Sequence, residues 1–556
     1  MSYFNTRAIP LFPSYALTPK KEKELDDFLG FLDKTGVGDL LISEDQNWNK
    51  SAGGRPSISK YSLFATILYA FTYDKASLRD ISDRCEYDLR YMYLMDNQKV
   101  SFKTLGNFIN HFILPNLDAI FACLNKALMK ELDIGLEEIY IDGTKIEADA
   151  NKYKFVWKPT TYHKNLCNKV RNLLAIIGLD DDLPKDEIFS SSIIADKLIK
   201  FGDIVGDDKI KTKQYESLFK YLEKALEYEN KEEICGPDRG SYYKSDHDAT
   251  AMTLKTDYYS GLGSNMHAAY NIQAVIAKGL IIERYVSQSR SDTSDFQRTV
   301  EKINESYGVY PKAICADAGY GSYSNYRYLE EKGIKSYVKH QSWQGNVSGK
   351  SPDTYRVYDD DNVICLNDKE AYPIDIPNRH PKRAGSVFYR VDGCNSCPFK
   401  VYCKRWQKTK DEDFKIFEID LLGSKLKRRA EENLLSVPGI IARVNRSIQA
   451  EGFFGSIKFD MGYDRFRRTS LSKVDLEFSL TALGYNFRKF FKHLDGEMVK
   501  IEWKPNKNLE PETFKRPSAK RLQNKVLRKQ EKTDNQKAKG GYKYKHQSTK
   551  KEGVKP

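Results

Sequence analysis

The sequence predicts an α/β fold: a mixed sheet with flanking helices, interrupted by insertions, with an all-α N-terminal domain before it and a disordered basic tail after it. Three observations carry this. Apolar residues recur at helical spacing through residues 1–132. Short apolar runs that end in an acid, Glu138–Asp142 and Ala313–Asp317, alternate with helical stretches further on. From Lys504 to Pro556 there are 17 Lys and Arg against 5 Asp and Glu, with few large apolar side chains, a composition too poor in core-forming residues to fold alone. The expected boundaries are 1–132 for the helical domain, 133–502 for the sheet domain and 503–556 for the tail, with insertions at about 155–262 and 340–425.

In the helical domain, Leu25, Phe28, Leu29 and Leu32 mark one amphipathic helix, and Leu63–Tyr73 marks a buried one. Ser77-Leu-Arg-Asp80 has the spacing of a capping box. Ser101–Met129 continues the pattern, with a break near Pro115. Short helices with interleaved Lys and Arg suit either a helix-turn-helix-like DNA reader or a plain bundle. In the sheet domain, Glu138–Gly143 reads as a buried strand with Asp142 near its end. His267–Ile276 and Leu280–Ser287 flank Ala277-Lys278-Gly279 as a hairpin, and Phe296–Tyr307 is helical. Ala313–Asp317 is a second strand, Tyr326–Lys332 a helix and Ile334–Val338 a further strand. Residues 155–262 read as a polar, mainly helical insertion, and residues 340–420 as irregular. Ser424–Lys458 is helical with a break near Pro438-Gly439, and Leu471–His493 is a last long helix.

Composition narrows the class. The chain of 556 residues is 40% hydrophobic and 30% charged, so it can bury a substantial core. No apolar run reaches the roughly 18 residues of a membrane span, and the first residues lack the pattern of a secretory leader. A cytoplasmic protein is expected, its nine scattered cysteines reduced. The net charge is +13, of which +12 lies in the tail. Such a tail suits phosphate binding by counterion release; the alternative is a solubilising segment.

Asp142 and Asp317 each close an apolar run, which would put both at one edge of a sheet, where open α/β sheets hold ligands. Phosphoryl transfer on DNA needs charge neutralised at the attacking and leaving oxygens, a task for two hard cations about 3.5–4 Å apart on carboxylates. Glu451 supplies a third acid, and Lys458, seven residues on, would share its face of an ideal helix. Arg446, Arg465, Arg467 and Arg468 add positive charge for DNA. Any one of these acids alone is more simply a surface charge; the combination carries the argument.

Tyr-Ile-Asp142-Gly-Thr-Lys-Ile-Glu, Ala-Asp317-Ala-Gly-Tyr-Gly-Ser and Arg446-x4-Glu451-x2-Phe-Gly-x-Ile-Lys458, followed by Gly-Tyr-Asp-Arg-Phe-Arg-Arg and Lys473-Val-x2-Glu477, appear in this order. Together with Gly-Arg-Pro at 54–56 they resemble an insertion-sequence transposase of the DDE type, with an RNase H-like catalytic core, over most of residues 10–492. The resemblance implies catalytic, metal-binding roles for Asp142, Asp317 and Glu451 with Mg²⁺ or Mn²⁺. It implies cleavage at the ends of a mobile element and strand transfer into target DNA, by a homodimer on double-stranded DNA in the bacterial nucleoid. A related nuclease without strand transfer, or a non-catalytic DNA-binding derivative, are the alternatives. Many relatives place Tyr seven and Arg four residues before the glutamate. Here those positions hold Val444 and Ser447, and Arg446 lies five before. On an ideal helix that extra residue turns a side chain by about 100°.

Cys394-x2-Cys397-x5-Cys403 has knuckle-like spacing, and Cys365 lies upstream, with His380 as a rival for the fourth position. Four such ligands would close a structural Zn²⁺ site; the alternative is a set of free thiols.

Overall fold

A computed structural model of the chain describes residues 17–41, 58–73, 76–254, 266–377, 380–381, 383, 385–407, 411–505 and 508–538. Gly-Arg-Pro at 54–56, the first sixteen residues and the end of the tail lie outside them. The chain divides into two units, Met1–Cys315 with Val444–Trp503, and Ala316–Arg443 with Lys504–Pro556.

The first unit opens with the expected helices. Thr18 caps Pro19–Thr35 by accepting from Lys21 N, and a full capping box of Ser77 and Asp80 starts Leu78–Tyr87. Lys60–Tyr73 is buried almost throughout. The pattern from residue 101 resolves into Phe102–Phe108, a π turn at Ile109–Ile113, and Leu117–Glu131, with Pro115 in the break. The long helix Leu471–Leu494 packs on Lys60–Tyr73. Gly484 permits the approach, because a Cβ there would lie 2.1 Å from Phe71 O. Phe28, Phe31, Tyr69, Phe487, Phe490 and Phe491 join the elements in one aromatic cluster. The helices Pro19–Thr35 and Lys60–Tyr73 thus share a core with the last helix of the sheet domain.

The sheet of this unit is built on β5 (Met266–Ala277), which is buried along nearly its whole length. β1 (Glu138–Glu147) pairs antiparallel with one edge, setting Asp142 opposite Ala274 and Thr144 opposite Ile272. β4 (Thr250–Thr253) and β6 (Leu280–Ser287) share the other edge. The β5–β6 hairpin turns through Lys278 (φ 45°) and Gly279 (φ 93°), as its sequence predicted. The first residues of β7 (Ala313–Gly321) lie beside the start of β1, Ala313 N donating to Glu137 O at 3.0 Å. Asp142 is not at a strand end: β1 runs on five residues past it, although its burial is interrupted from Asp142 to Lys145. The short pair β2 (Phe155–Trp157) and β3 (Ser241–Tyr243) forms the base of the first insertion. Its helices Thr160–Ile177, Ser191–Val205 and Lys209–Cys235 close a core of their own around Leu166, Val170, Leu174, Ile194 and Phe201.

The second unit holds the remainder of β7, the helix Tyr323–Glu331 and β8 (Lys335–His340). Two expectations are corrected here. Residues 340–420 are not irregular: β9 (Tyr355–Val357), β10 (Val363–Cys365), β11 (Glu370–Ile374), β12 (Ser386–Asp392) and β13 (Phe414–Asp420) form a five-stranded antiparallel sheet. Alternate residues of these strands, Val357, Val363, Tyr389, Val391, Phe417 and Ile419 among them, bury a core. Strands as short as the three residues of β9 and β10 offer too few positions for period-2 alternation to stand out. The basic tail is not disordered throughout either, because Ala519–Ala538 is a helix. Leu522 and Val526, four residues apart, bury one side of it against Tyr402.

Among the described residues no single helix is long and apolar enough to cross a membrane; one bent pair, Phe102–Ile113 with Leu117–Glu131, passes that test only jointly, across an 84° bend. Its apolar residues are packed in the core.

Arg284 on β6 ties the helices to the sheet. Its guanidinium is fully buried, pairs with Glu283 (3.0 Å), Asp118 (2.7 Å) and Asp475 (3.3 Å), donates to Ser479, and lies over Phe121. Removing one partner from such a network leaves uncompensated buried charge. Arg284→Ala should destabilise the fold by about 3–5 kcal/mol, seen as a lower denaturant midpoint; an unchanged midpoint would contradict this account.

Candidate active site

Pleat parity decides which way the first acid points. Asp142 and Thr144 lie on the β1 face shared with Ala274 and Arg284, the face covered by Leu117–Glu131 and Leu471–Leu494. The segment carrying Glu451 lies against the same strand. Arg446 Nη1 meets Asp142 Oδ2 at 3.2 Å, and Lys458 Nζ donates to Thr144 Oγ1 at 2.6 Å. Gln449 anchors the middle, accepting from Gly279 N (2.8 Å) and donating to Ile501 O (2.6 Å).

The segment is not a continuous α-helix. Val437–Arg446 gives way to a π turn at Ser447–Glu451, one α turn at Gly452–Gly455 and a second π turn at Ser456–Asp460. In a π turn the hydrogen bond reaches five residues, so residues five apart stack as residues four apart do in an α-helix. Arg446, five residues before Glu451, pairs with Asp142. The same turns mean that the spacing from Glu451 to Lys458 does not measure two α-helical turns.

Asp142 and Asp317 are partly buried, and Glu451 is exposed, accepting from Ser447 Oγ at 2.8 Å. Asp317 belongs to the second unit and accepts from Gly319 N at 2.7 Å. Arg446 Nε is buried and has no hydrogen-bond partner among the described residues. Among those residues, no group of three or more His, Cys, Asp or Glu stands ready to hold a metal ion. The donor chemistry nonetheless suits a hard cation, since all three acids offer carboxylate oxygens that water can reach.

The arginine cluster divides by role. Arg465 is tied to the exit of β1 through Ala148 O (3.1 Å) and Asp149 (2.8 Å). Arg467 is exposed, and Arg468 is half-buried with its pKa lowered by burial. Glu477, buried, accepts from the backbone N–H groups of Arg467 and Arg468, holding the loop that presents them. Sequence reasoning missed Thr144 and Gln449; each is a neutral residue close to a named acid, with nothing in its own type to mark it.

Burial, with smaller like-charge contributions from Cys397 and Cys365, raises the thiols of Cys394 and Cys403, the latter to about 11. Among the described residues these cysteines are not grouped closely enough to hold a metal ion. All nine cysteines are free thiols, and His380 is exposed.

The opposite face of the sheet carries a buried acidic network. Asn271 donates to Asp292 (2.8 Å) and Asp295 (3.0 Å), Gln273 to Asp292 (2.9 Å), and Ser287 to Asp295 (2.6 Å). Burial, with Asp292 adding to it, raises Asp295 from 3.8 to about 6. Between those values the folded chain keeps a proton that the unfolded chain has lost, so stability falls as pH rises through this window. Asp295→Asn, which keeps an acceptor for Ser287, should therefore gain in melting temperature over the parent at pH 7 but not at pH 4; parallel melting curves across that range would refute the assignment.

Two models of protein families match parts of the chain. Residues 364–491 match the model of a transposase DDE domain, and residues 16–111 match that of a transposase domain. The first takes in Arg446, Glu451, Lys458 and the cysteines from Cys365 on; neither takes in Asp142 or Asp317. No curated protein and no solved structure matches the chain.

Proposed function

We propose that the chain is a DDE-type insertion-sequence transposase, a reading supported by its matches to a transposase DDE domain and a transposase domain, and that it cleaves DNA at the ends of a mobile element and joins the freed 3′-hydroxyl to target DNA. The observation that supports this best is the docking of the Glu451 segment on the strand of Asp142, through Arg446 and Lys458. Asp142, Asp317 and Glu451 are the carboxylates that would hold Mg²⁺ or Mn²⁺. When bound, the ions would polarise the phosphoryl group and ease deprotonation of the attacking hydroxyl. Binding of ions and DNA would have to complete the grouping of the acids, and the π turns beside Glu451 suit that adjustment, since such turns favour functional sites.

The protein's own groups supply the rest. Arg446 neutralises Asp142 through a charge-assisted contact. Lys458, held by Thr144, places a second positive charge beside the first acid. Arg467 is open to the DNA backbone, and Arg465 and Arg468 shape the loop that bears it. The helix Ala519–Ala538 carries Arg521, Lys525, Arg528 and Lys532 as one exposed stripe, about 16 Å long, suited to phosphates. The N-terminal helices would read the element ends, and two chains would bridge them.

Asp142→Asn should abolish Mg²⁺-dependent cleavage of element-end DNA while leaving end binding nearly intact; full cleavage by the variant would refute the reading. Strand transfer from a precut 3′-hydroxyl end separates a transposase from a nuclease that only cuts. For the cysteines we propose a structural Zn²⁺ on Cys365, Cys394, Cys397 and Cys403, drawn together as the thiols lose their protons. One zinc per chain, lost in Cys397→Ser, is the expected result of metal analysis, and a zinc-free native chain would exclude the site.

A further inference from the structure

The surface beyond the exit of β1 has a composition unusual for a folded protein. Residues 152–158 read Lys-Tyr-Lys-Phe-Val-Trp-Lys, alternating cations with large rings. The rings are not core: Tyr153 is 81% exposed, Phe155 43% and Trp157 52%. Phe155 and Trp157 lie two apart on β2 and so share one strand face, their ring centroids 5.3 Å apart and nearly perpendicular. Phe155 leans on buried Tyr243 across the strand pair. Tyr153 stands in the turn just before, with Lys152 Nζ 5.4 Å from its ring centre. Tyr162, in the first turn of the next helix, is 68% exposed.

Contiguous exposed apolar surface is costly and marks a binding site. The interleaved lysines select among partners. An apolar protein surface or a lipid tail has no use for them, whereas a nucleic acid strand offers flat rings to stack and phosphates to neutralise at similar spacing. Position agrees. The segment begins three residues after Asp149, whose carboxylate meets Arg465, and Arg465 leads into the exposed Arg467. The rings therefore continue the basic surface at the end of the strand that carries Asp142.

We propose that Tyr153, Phe155 and Trp157, with Lys152 and Lys154, form a stacking platform for unpaired bases of a DNA strand. Paired bases present no ring face to such a platform, so its ligand is single-stranded or locally opened DNA. The proposal rests on the chain being a DNA transposase, for which an opened strand beside the cut is the relevant ligand. It does not depend on which acids bind metal.

The test uses the full chain, an oligo-dT strand and a duplex of equal length, with binding followed by fluorescence anisotropy. Trp157→Ala and Phe155→Ala should each weaken oligo-dT binding by about tenfold and change duplex binding far less. Trp157→Phe should restore most of the loss, and Lys154→Gln should flatten the salt dependence for oligo-dT. Trp157 is 52% exposed, so the melting temperature of its variants should stay at the parent value. Unchanged oligo-dT affinity in both alanine variants would overturn the proposal. So would an equal loss for strand and duplex, or a shift in oligomeric state with oligo-dT binding intact, which would make the patch a subunit contact. A parent chain that binds oligo-dT through these rings yet never cleaves would refute the catalytic reading and leave the platform standing.

Discussion

The register of β1 on β5 is the constraint on which the site depends. Setting Asp142 opposite Ala274 turns Asp142 and Thr144 toward the helices and the Glu451 segment. A slip of one residue would reverse every side chain on the strand. Asp142 would then face the buried network of Asp292 and Asp295, where a third carboxylate would meet like charge and lose its water. The register is held at several points: Ile139, Ile141 and Ile146 are buried, and at the exit Glu147 exchanges backbone hydrogen bonds with Asp464 and Phe466. A hydrophobic pattern and a polar lock thus fix the direction of one carboxylate.

The second constraint is helical. An arginine placed five residues before the glutamate would turn away from it on an ideal α-helix. A π turn spans Ser447–Glu451 here, and the Arg446 guanidinium meets Asp142. Such turns have poorer hydrogen-bond geometry than α turns, so they persist where the surroundings hold them. Gln449 does so here, clamping the turn to Gly279 and to Ile501.

Much of this was legible beforehand, for physical reasons that differ by element. Ser77-x2-Asp80 and Lys278-Gly279 were readable because caps and tight turns demand particular residues at particular places. The helix boundaries around Pro115 were readable because proline forbids continuation. The sheet of β9 to β13 was not, since its first strands are only three residues long and show no period. Nor was the helix at 519–538: two apolar residues, Leu522 and Val526, suffice to dock it once a surface exists, and a window of composition averages them away. The candidate site was legible only in its charged residues. Acids after apolar runs signal themselves by chemical type, but Thr144 and Gln449 are neutral and acquire their roles only through folding. The lysine–aromatic alternation at 152–158 was in plain view, yet only exposure distinguishes a platform from a buried strand.

The two faces of the sheet divide the labour. On one, Asn271, Gln273 and Ser287 donate to Asp292 and Asp295, a linked set of hydrogen bonds that stiffens the sheet, although Asn271 Oδ1 has no partner among the described residues. On the other, the acids proposed for chemistry stay within reach of water and are held by side chains that could exchange partners: Asp142 by Arg446, Glu451 by Ser447. A site that must admit a polyanion and its cations cannot be finished in advance. Three carboxylates fixed together without counter-charge would repel, and a cage closed by protein groups alone would leave the phosphate no room. A stiff back and an adjustable front meet both demands, which is why the buried polar groups sit opposite the acids and the irregular helix turns sit beside them.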